Sequence, residues 1–153
     1  MAIIDGKKVS AEVKGRITAE AKALKQKTGK SPGLAVVLVG DDPASSVYVR
    51  NKKKTCQQVG FQSFEHHLPA DTSQEKLLAL VQDLNRNDHV NGILVQLPLP
   101  GHIDSEKVLE AVDPAKDVDG FHPENVGRLV GGNAILKPCT PAGIIELLDR
   151  YKV

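Results

Sequence analysis

The chain has little of what marks several large classes of protein. Its 153 residues include no tryptophan, two tyrosines, three phenylalanines and two cysteines, Cys56 and Cys139. Two distant cysteines form neither a zinc motif nor a disulfide framework. No stretch approaches the roughly 20 apolar residues of a membrane span, and residues 1–8 lack the apolar core of a signal peptide. We therefore expect a soluble protein of a reducing compartment, the cytoplasm.

Charge and glycine pattern exclude further classes. The 20 basic and 19 acidic residues leave a net charge of +1, which gives no electrostatic reason to expect binding to nucleic acid or to a membrane surface. The chain contains no G-x-G-x-x-G dinucleotide fingerprint. The five histidines show no ligand spacing, so we predict no metal site. With 41% hydrophobic residues, the length suits a single domain over residues 1–153.

Hydrophobic periodicity predicts alternating helices and strands. Predicted helices contain residues 9–24 (ending near Gly29), residues 43–59, a segment beginning after Ser73, residues 105–112, and a segment after Pro138 that buries Ile144, Ile145, Leu147 and Leu148. Predicted strands cover residues 34–39, 61–68 (nearer an edge) and 90–97, and residues 113–125 are predicted as a polar loop. This order is typical of an α/β fold: three αβα layers around a mostly parallel sheet.

The third predicted strand ends in a distinctive way. The apolar run from Ile93 leads to Gln96 and then to Leu97-Pro98-Leu99-Pro100, where the prolines prevent the strand from continuing. Open α/β sheets place their ligand crevices at the carboxyl ends of strands. Gln96 is therefore either part of a ligand rim or a structural amide at a strand end, and the segment alone favours neither.

Tyr48 and Lys52 lie four residues apart on the second predicted helix and so share a face. A phenol beside an amine can serve proton transfer or carbonyl activation, although a solvated lysine on a helix side is the more common explanation of such a pair. Short-chain dehydrogenases use the same spacing. Their glycine-rich turn is absent here, because the first strand is followed by Gly40-Asp41-Asp42-Pro43.

Three aspartates crowd the predicted loop. For Asp113, which precedes Pro114, we predict an Asx turn. Asp119 could likewise form a turn, or could accept two hydrogen bonds from the amidine-like edge of a pterin or guanine. We slightly favour the functional interpretation for Asp119.

Several segments, in order along nearly the whole chain, resemble the bifunctional methylenetetrahydrofolate dehydrogenase/cyclohydrolase family, specifically its N-terminal catalytic domain. They are residues 40–52 (GDDPASSVYVRNK), 84–87 (LNRN) with 92–100 (GILVQLPLP), 116–123 (KDVDGFHP) with 125–129 (NVGRL), and 138–143 (PCTPAG).

The resemblance implies a role for each matching position. Lys52 would be the catalytic lysine, Tyr48 would stack on the folate and position Lys52, Gln96 would bond to Lys52 and tune its proton affinity, and Asp119 would hold the pterin edge. Further implied positions are the folate-slot residues Val95, Leu97 and Pro98, a weaker candidate Ser45, and possible edge contacts to NADP from Cys139 and Thr140.

The family reaction implied by this resemblance has two steps. NADP-dependent oxidation of 5,10-methylenetetrahydrofolate gives the methenyl cation, and hydrolysis of that cation gives 10-formyltetrahydrofolate, a one-carbon donor for purine and amino-acid biosynthesis. The resemblance also implies a homodimer for the full-length enzyme and a second, Rossmann domain that binds NADP, which we expect to be absent from this chain. The alternative is a truncated, non-catalytic folate-binding module.

Overall fold

A computed structural model describes residues 3–153, which form three strands and six helices. In chain order these are α1 (Gly6–Thr28), β1 (Gly33–Val39), α2 (Pro43–Val59), β2 (Gln62–Leu68), α3 (Gln74–Arg86), β3 (Gly92–Val95), α4 (Ser105–Glu110), α5 (Pro123–Val130) and α6 (Cys139–Tyr151). Over this range, none of the helices combines the length and the apolar character needed to cross a membrane.

Local capping explains where the first two helices begin and end. The Asp5 carboxylate accepts the Lys7 and Lys8 amides at the start of α1, and Asp42 caps α2 in the same way, with Pro43 in its first turn. Both helices end at a left-handed glycine, Gly29 (φ 73°) and Gly60 (φ 82°). The helix ends predicted near these two glycines are confirmed.

The three strands form one parallel sheet in the order β2-β1-β3. Side chains of β1 alternate between two covered faces. Ala35, Val37 and Val39 pack in the core cluster with α3, whereas Val36 and Leu38 face α2. Helices thus cover both faces of a parallel sheet, which confirms the predicted α/β class, and β2 lies at an edge as expected.

Some predicted boundaries were wrong. β3 is shorter than predicted: the Val90 amide bonds to the Asn87 carbonyl in the turn that follows α3, and ladder pairing stops at Val95. The backbone amide of Gln96 still donates to the Val37 carbonyl at 2.8 Å, so the chain stays beside β1 for one more residue. The short helix α4 ends at Glu110, before the predicted end at residue 112.

Helix α5 was not predicted, because residues 113–125 were interpreted as one loop. The His122 ring accepts the Glu124 amide and caps the helix, and Pro123 supplies a backbone angle suited to its first turn. His122 lies within that predicted loop, so its capping role was missed.

The predicted burial of the apolar side of α6 was wrong. Ile144 and Ile145 are 52% and 56% exposed, while Leu147 and Leu148 are only half-buried. The apolar periodicity of the helix was interpreted correctly, but no element within residues 3–153 covers that side. An apolar stripe predicts burial only where another element is available to pack on it.

The core should depend strongly on Leu77, which is fully buried in α3 against the sheet. We expect Leu77→Ala to lower the free energy of unfolding by about 2–5 kcal/mol, because it removes buried apolar contacts and leaves a cavity. Urea unfolding followed by circular dichroism measures this loss. Leu24→Ala, at a position that is 44% exposed in α1, is the matched control and should cost much less. Equal losses would contradict this account of the core.

Candidate functional site

The candidate site lies at the carboxyl ends of β1 and β3, where α2 passes the end of β3. Lys52 of α2 donates from Nζ to Oε1 of Gln96 at 3.0 Å. The other end of the same amide, Nε2, donates to the Leu97 carbonyl at 2.8 Å. Because its nitrogen is held by a carbonyl, the amide presents its oxygen to the lysine. The predicted contact between Gln96 and Lys52 is confirmed.

The surface beside this pair is apolar and open. Tyr48, one helical turn before Lys52, is 61% exposed, so its ring is available for stacking. Leu97 is half-buried and Pro98 is exposed, and the peptide bond between them is cis. Val95 differs, because its side chain is only 3% exposed within the core cluster, which limits any ligand contact to that small surface.

Asp119 lies in a loop that runs beside β3. The Ile93 amide donates to the Lys116 carbonyl at 2.7 Å, and the Val118 amide donates to the Ile93 carbonyl at 3.4 Å. Residues 116–118 therefore continue the sheet beyond β3, with an isolated parallel bridge between Ile93 and Asp117. The Asp119 side chain that follows is half-buried.

The charges of three elements interact at this site. Burial lowers the pKa of the Lys52 ammonium, while the charges of Asp119 and Cys139 act in the opposite direction. Burial raises the pKa of Asp119, Lys52 opposes that rise, and Asp117 adds to it. Cys139 is exposed as a residue, but partial burial of its thiol raises the pKa of that group, and the charge of Asp119 adds to the rise. Lys52 of α2, Asp119 of the loop and Cys139 of α6 are thus electrostatic neighbours.

The remaining predicted residues are placed as follows. Cys139 and Thr140 are exposed at the start of α6, and the Cys139 thiol lies 3.7 Å from the Val118 carbonyl oxygen. Ser45 is 3% exposed in the first turn of α2, where its amide donates to Asp42. Asp113 accepts the Ala115 amide at 2.8 Å, which confirms the predicted Asx turn.

Sequence reasoning missed one residue next to the site. Asp117 is 4% exposed and accepts hydrogen bonds from the Gly120 amide, the His122 amide and the Asn125 side chain. The available signal was the Asp-x-Asp spacing before a glycine, which places one carboxylate inside a turn and the other outside it. That spacing was noted only as crowding.

The fold and the site define a class: a parallel α/β protein with a half-buried lysine, an amide and a carboxylate at the carboxyl ends of its strands. Residues 4–119 match the sequence model of the tetrahydrofolate dehydrogenase/cyclohydrolase catalytic domain. The chain belongs to this family.

Similar proteins agree with this assignment. The bifunctional protein FolD of Magnetococcus marinus is 58% identical over 146 residues, which are 95% of this chain and 51% of that protein. A crystal structure of the bifunctional FolD enzyme from Campylobacter jejuni superposes with a TM-score of 0.96 at 48% identity, over 99% of this chain and 54% of that one.

A third similar protein was solved with ligands. The Trypanosoma brucei dehydrogenase–cyclohydrolase, in complex with NADP cofactor and an inhibitor, gives a TM-score of 0.95 at 37% identity over 99% of this chain and 52% of that one. The chain spans about half the length of the curated relatives that it matches.

The Lys52–Gln96 contact leads to a test of the electrostatics. Gln96→Glu would place a carboxylate against the ammonium group, so we expect the pKa of Lys52 to rise relative to the wild-type protein. A ¹³C-lysine NMR titration measures this pKa. The control, Gln62→Glu, makes the same charge change on β2 at the opposite end of the sheet and should leave Lys52 unchanged. A Lys52 pKa that is unmoved by Gln96→Glu would show that the contact does not form in solution.

Proposed function

We propose that this chain binds a tetrahydrofolate derivative at the Lys52–Gln96–Asp119 site and uses Lys52 to hydrolyse 5,10-methenyltetrahydrofolate to 10-formyltetrahydrofolate. The observation that carries the proposal is the half-buried ammonium of Lys52, hydrogen-bonded to a neutral amide at the carboxyl end of a parallel sheet. Family membership supplies the substrate class.

The chemistry of hydrolysis requires a group that both accepts and returns a proton. Water adds to the methenyl carbon and loses one proton to give a neutral carbinolamine. The carbinolamine hydroxyl then loses its proton as the formyl C=O forms and one carbon–nitrogen bond breaks, and the released nitrogen takes up a proton, so that one proton is released overall. An ordinary lysine is almost fully protonated near neutral pH and cannot act as a base there. Burial lowers the pKa of Lys52 and so increases its neutral fraction.

Gln96 and Asp119 set the orientation and the pKa of Lys52. The Gln96 oxygen accepts a hydrogen bond from Nζ without adding a full negative charge, so it orients the amine and leaves its pKa low. The charge of Asp119 limits how far that pKa falls. In the proposed complex Asp119 also accepts hydrogen bonds from the pterin edge, Tyr48 stacks on the folate, and Leu97 and Pro98 form the adjacent wall.

The described residues do not fit NADP. The turn after β1 has no glycine-rich cradle, and the Asp42 carboxylate already caps the start of α2, where a pyrophosphate would bind in a dinucleotide fold. Cys139 and Thr140 could provide edge contacts only. We therefore propose that residues 1–153 form a single folate domain and that oxidation with NADP requires groups outside the described residues.

A non-catalytic folate-binding module is the second candidate. The Tyr48 ring, at 61% exposure, can stack on a folate without any proton transfer by Lys52, and this observation favours the second candidate. The two candidates differ in one measurement: the module would bind the folate without hydrolysing it.

Replacing Lys52 tests the catalytic role. We expect Lys52→Met to slow methenyltetrahydrofolate hydrolysis by about 10²–10⁴-fold, the usual contribution of a general acid–base group. The wild-type rate should rise with pH as Lys52 loses its proton, at a pKa below its ordinary value of 10.5, and the variant should lose this rise. Loss of the methenyl absorbance follows the reaction. Lys54→Met, an exposed change on the same helix, is the control; equal rates in the wild type and Lys52→Met would refute the assignment.

The isolated chain also allows a test of the oxidation step. The purified 153-residue protein should give no enzymatic NADPH when supplied with 5,10-methylenetetrahydrofolate and NADP, because its described residues lack a pyrophosphate cradle. Absorbance at the wavelength of the reduced nicotinamide measures this directly. Steady, protein-dependent NADPH formation would show that this assignment of the cofactor site is wrong.

A further inference from the structure

The loop that carries Asp119 is held at its base by Lys116. Its ammonium group donates to three carbonyl oxygens at the end of α3, those of Leu84 (3.2 Å), Asn85 (2.7 Å) and Asn87 (3.0 Å). A cation at the carboxyl end of a helix satisfies acceptors that the helix leaves free. Together with the backbone bonds to Ile93, this contact fixes where the loop begins.

Asp117 then shapes the loop from inside. Its Oδ1 accepts the Gly120 amide at 3.1 Å, and its Oδ2 accepts the His122 amide at 2.9 Å and Nδ2 of Asn125 at 3.0 Å. Asn125 is itself 3% exposed and is held by the Pro114 carbonyl at 2.8 Å. Hydrogen bonds to a charged acceptor are stronger than neutral ones. The chain between Asp117 and Gly120 is therefore closed into a defined turn.

The backbone of Asp119 is part of that turn and is restricted on both sides, while its side chain lies outside the turn. Gly120 has a positive φ of 69°, and a Cβ at this position would meet the Pro138 backbone nitrogen at 3.1 Å. The turn thus packs directly against the start of α6. The turn contains two carboxylates, and Asp117 uses its own to accept backbone hydrogen bonds. The other, that of Asp119, is half-buried beside Lys52.

We propose that Asp117 is a positioning residue, which holds the Asp119 carboxylate in place for the pterin edge of the folate and for Lys52. This inference rests on the proposed function only where folate binding is concerned. Its geometric part, the placement of Asp119 beside Lys52, can be measured without a ligand.

Two readouts separate positioning from general support of the fold. The first is a double-mutant cycle on the affinity for 5-formyltetrahydrofolate, measured by calorimetry with the 153-residue chain. Asp117→Asn should weaken binding about tenfold, which corresponds to about 1.4 kcal/mol, close to the lower limit for one hydrogen bond to a charged group. In an Asp119→Asn background, the same change should have almost no further effect, because coupled residues are not additive.

The second readout is the pKa of Lys52 in the ligand-free protein. The groups that face Lys52 are the Gln96 amide, the Asp119 carboxylate and the Cys139 thiol. The charge of Asp117 acts on Asp119, and any direct effect of that charge on Lys52 would persist when Asp119 is replaced by Asn. A fall in the Lys52 pKa in Asp117→Asn that disappears when Asp117→Asn is added to Asp119→Asn would therefore report displacement of Asp119, and this is the result that we expect.

Asp113→Asn is the matched control, since it makes the same charge change in the same loop at an Asx turn. It should alter neither readout. Additive effects in the affinity cycle, or an unmoved Lys52 pKa, would overturn the proposal. If the wild-type chain binds no folate, the proposed function is wrong, and the Lys52 titration alone decides on Asp117. Should Asp117→Asn fail to fold, Asn125→Ala removes one of the three donors and should give smaller shifts in the same directions.

Discussion

The burial of β1 on both faces is the constraint on which the rest of the structure depends. A central parallel strand must be followed by a helix that crosses back over the sheet, so α2 has to begin beside the carboxyl end of the strand. β3 runs parallel to β1 and ends at the same edge. The lysine of α2 and the amide after β3 are brought together by this topology, and their hydrogen bond is a consequence of the fold.

Burial and neighbouring charge act against each other at this edge. Removal of water from around Lys52 disfavours its ammonium form, and Asp119 partly restores it. The same two effects act on Asp119: burial disfavours its carboxylate form, and the charge of Lys52 favours it. Because both side chains are only half-buried, neither group loses its charge completely. A site of this kind keeps groups that can exchange protons.

Much of the fold follows from local sequence. The helix ends at Gly29 and Gly60 and the edge position of β2 were predicted from turn chemistry and periodicity. The predictions failed where long-range packing decides. The Ile144 and Ile145 side of α6 has the periodicity of a buried helix, yet nothing in residues 3–153 covers it. The start of α5 depends on a histidine cap, which composition does not reveal.

The residues of the site were predictable to different degrees. The pairing of Lys52 with Gln96 was implied by the family resemblance, and the shared edge at the carboxyl ends of the parallel strands explains why it forms. The Asp-x-Asp spacing before Gly120 indicates a turn, but it does not show that Asp117 is the buried carboxylate, since the hydrogen bonds that Asp117 accepts form only after residues 116–118 pair beside β3. The exposure of Tyr48 likewise depends on how far neighbouring elements extend over α2.

The close approach of Gly120 to Pro138 has a mechanical consequence. The turn approaches the residue before α6 so closely that a Cβ added at Gly120 would meet the Pro138 nitrogen at 3.1 Å, which leaves no room for a side chain between them. A tilt of α6 towards the sheet would therefore push the turn, and the carboxylate of Asp119 would move with it. At its far end α6 is tied to α1, because the Tyr151 hydroxyl accepts the Asp5 amide and Arg150 donates to Glu12, so the helix is anchored both beside the site and away from it.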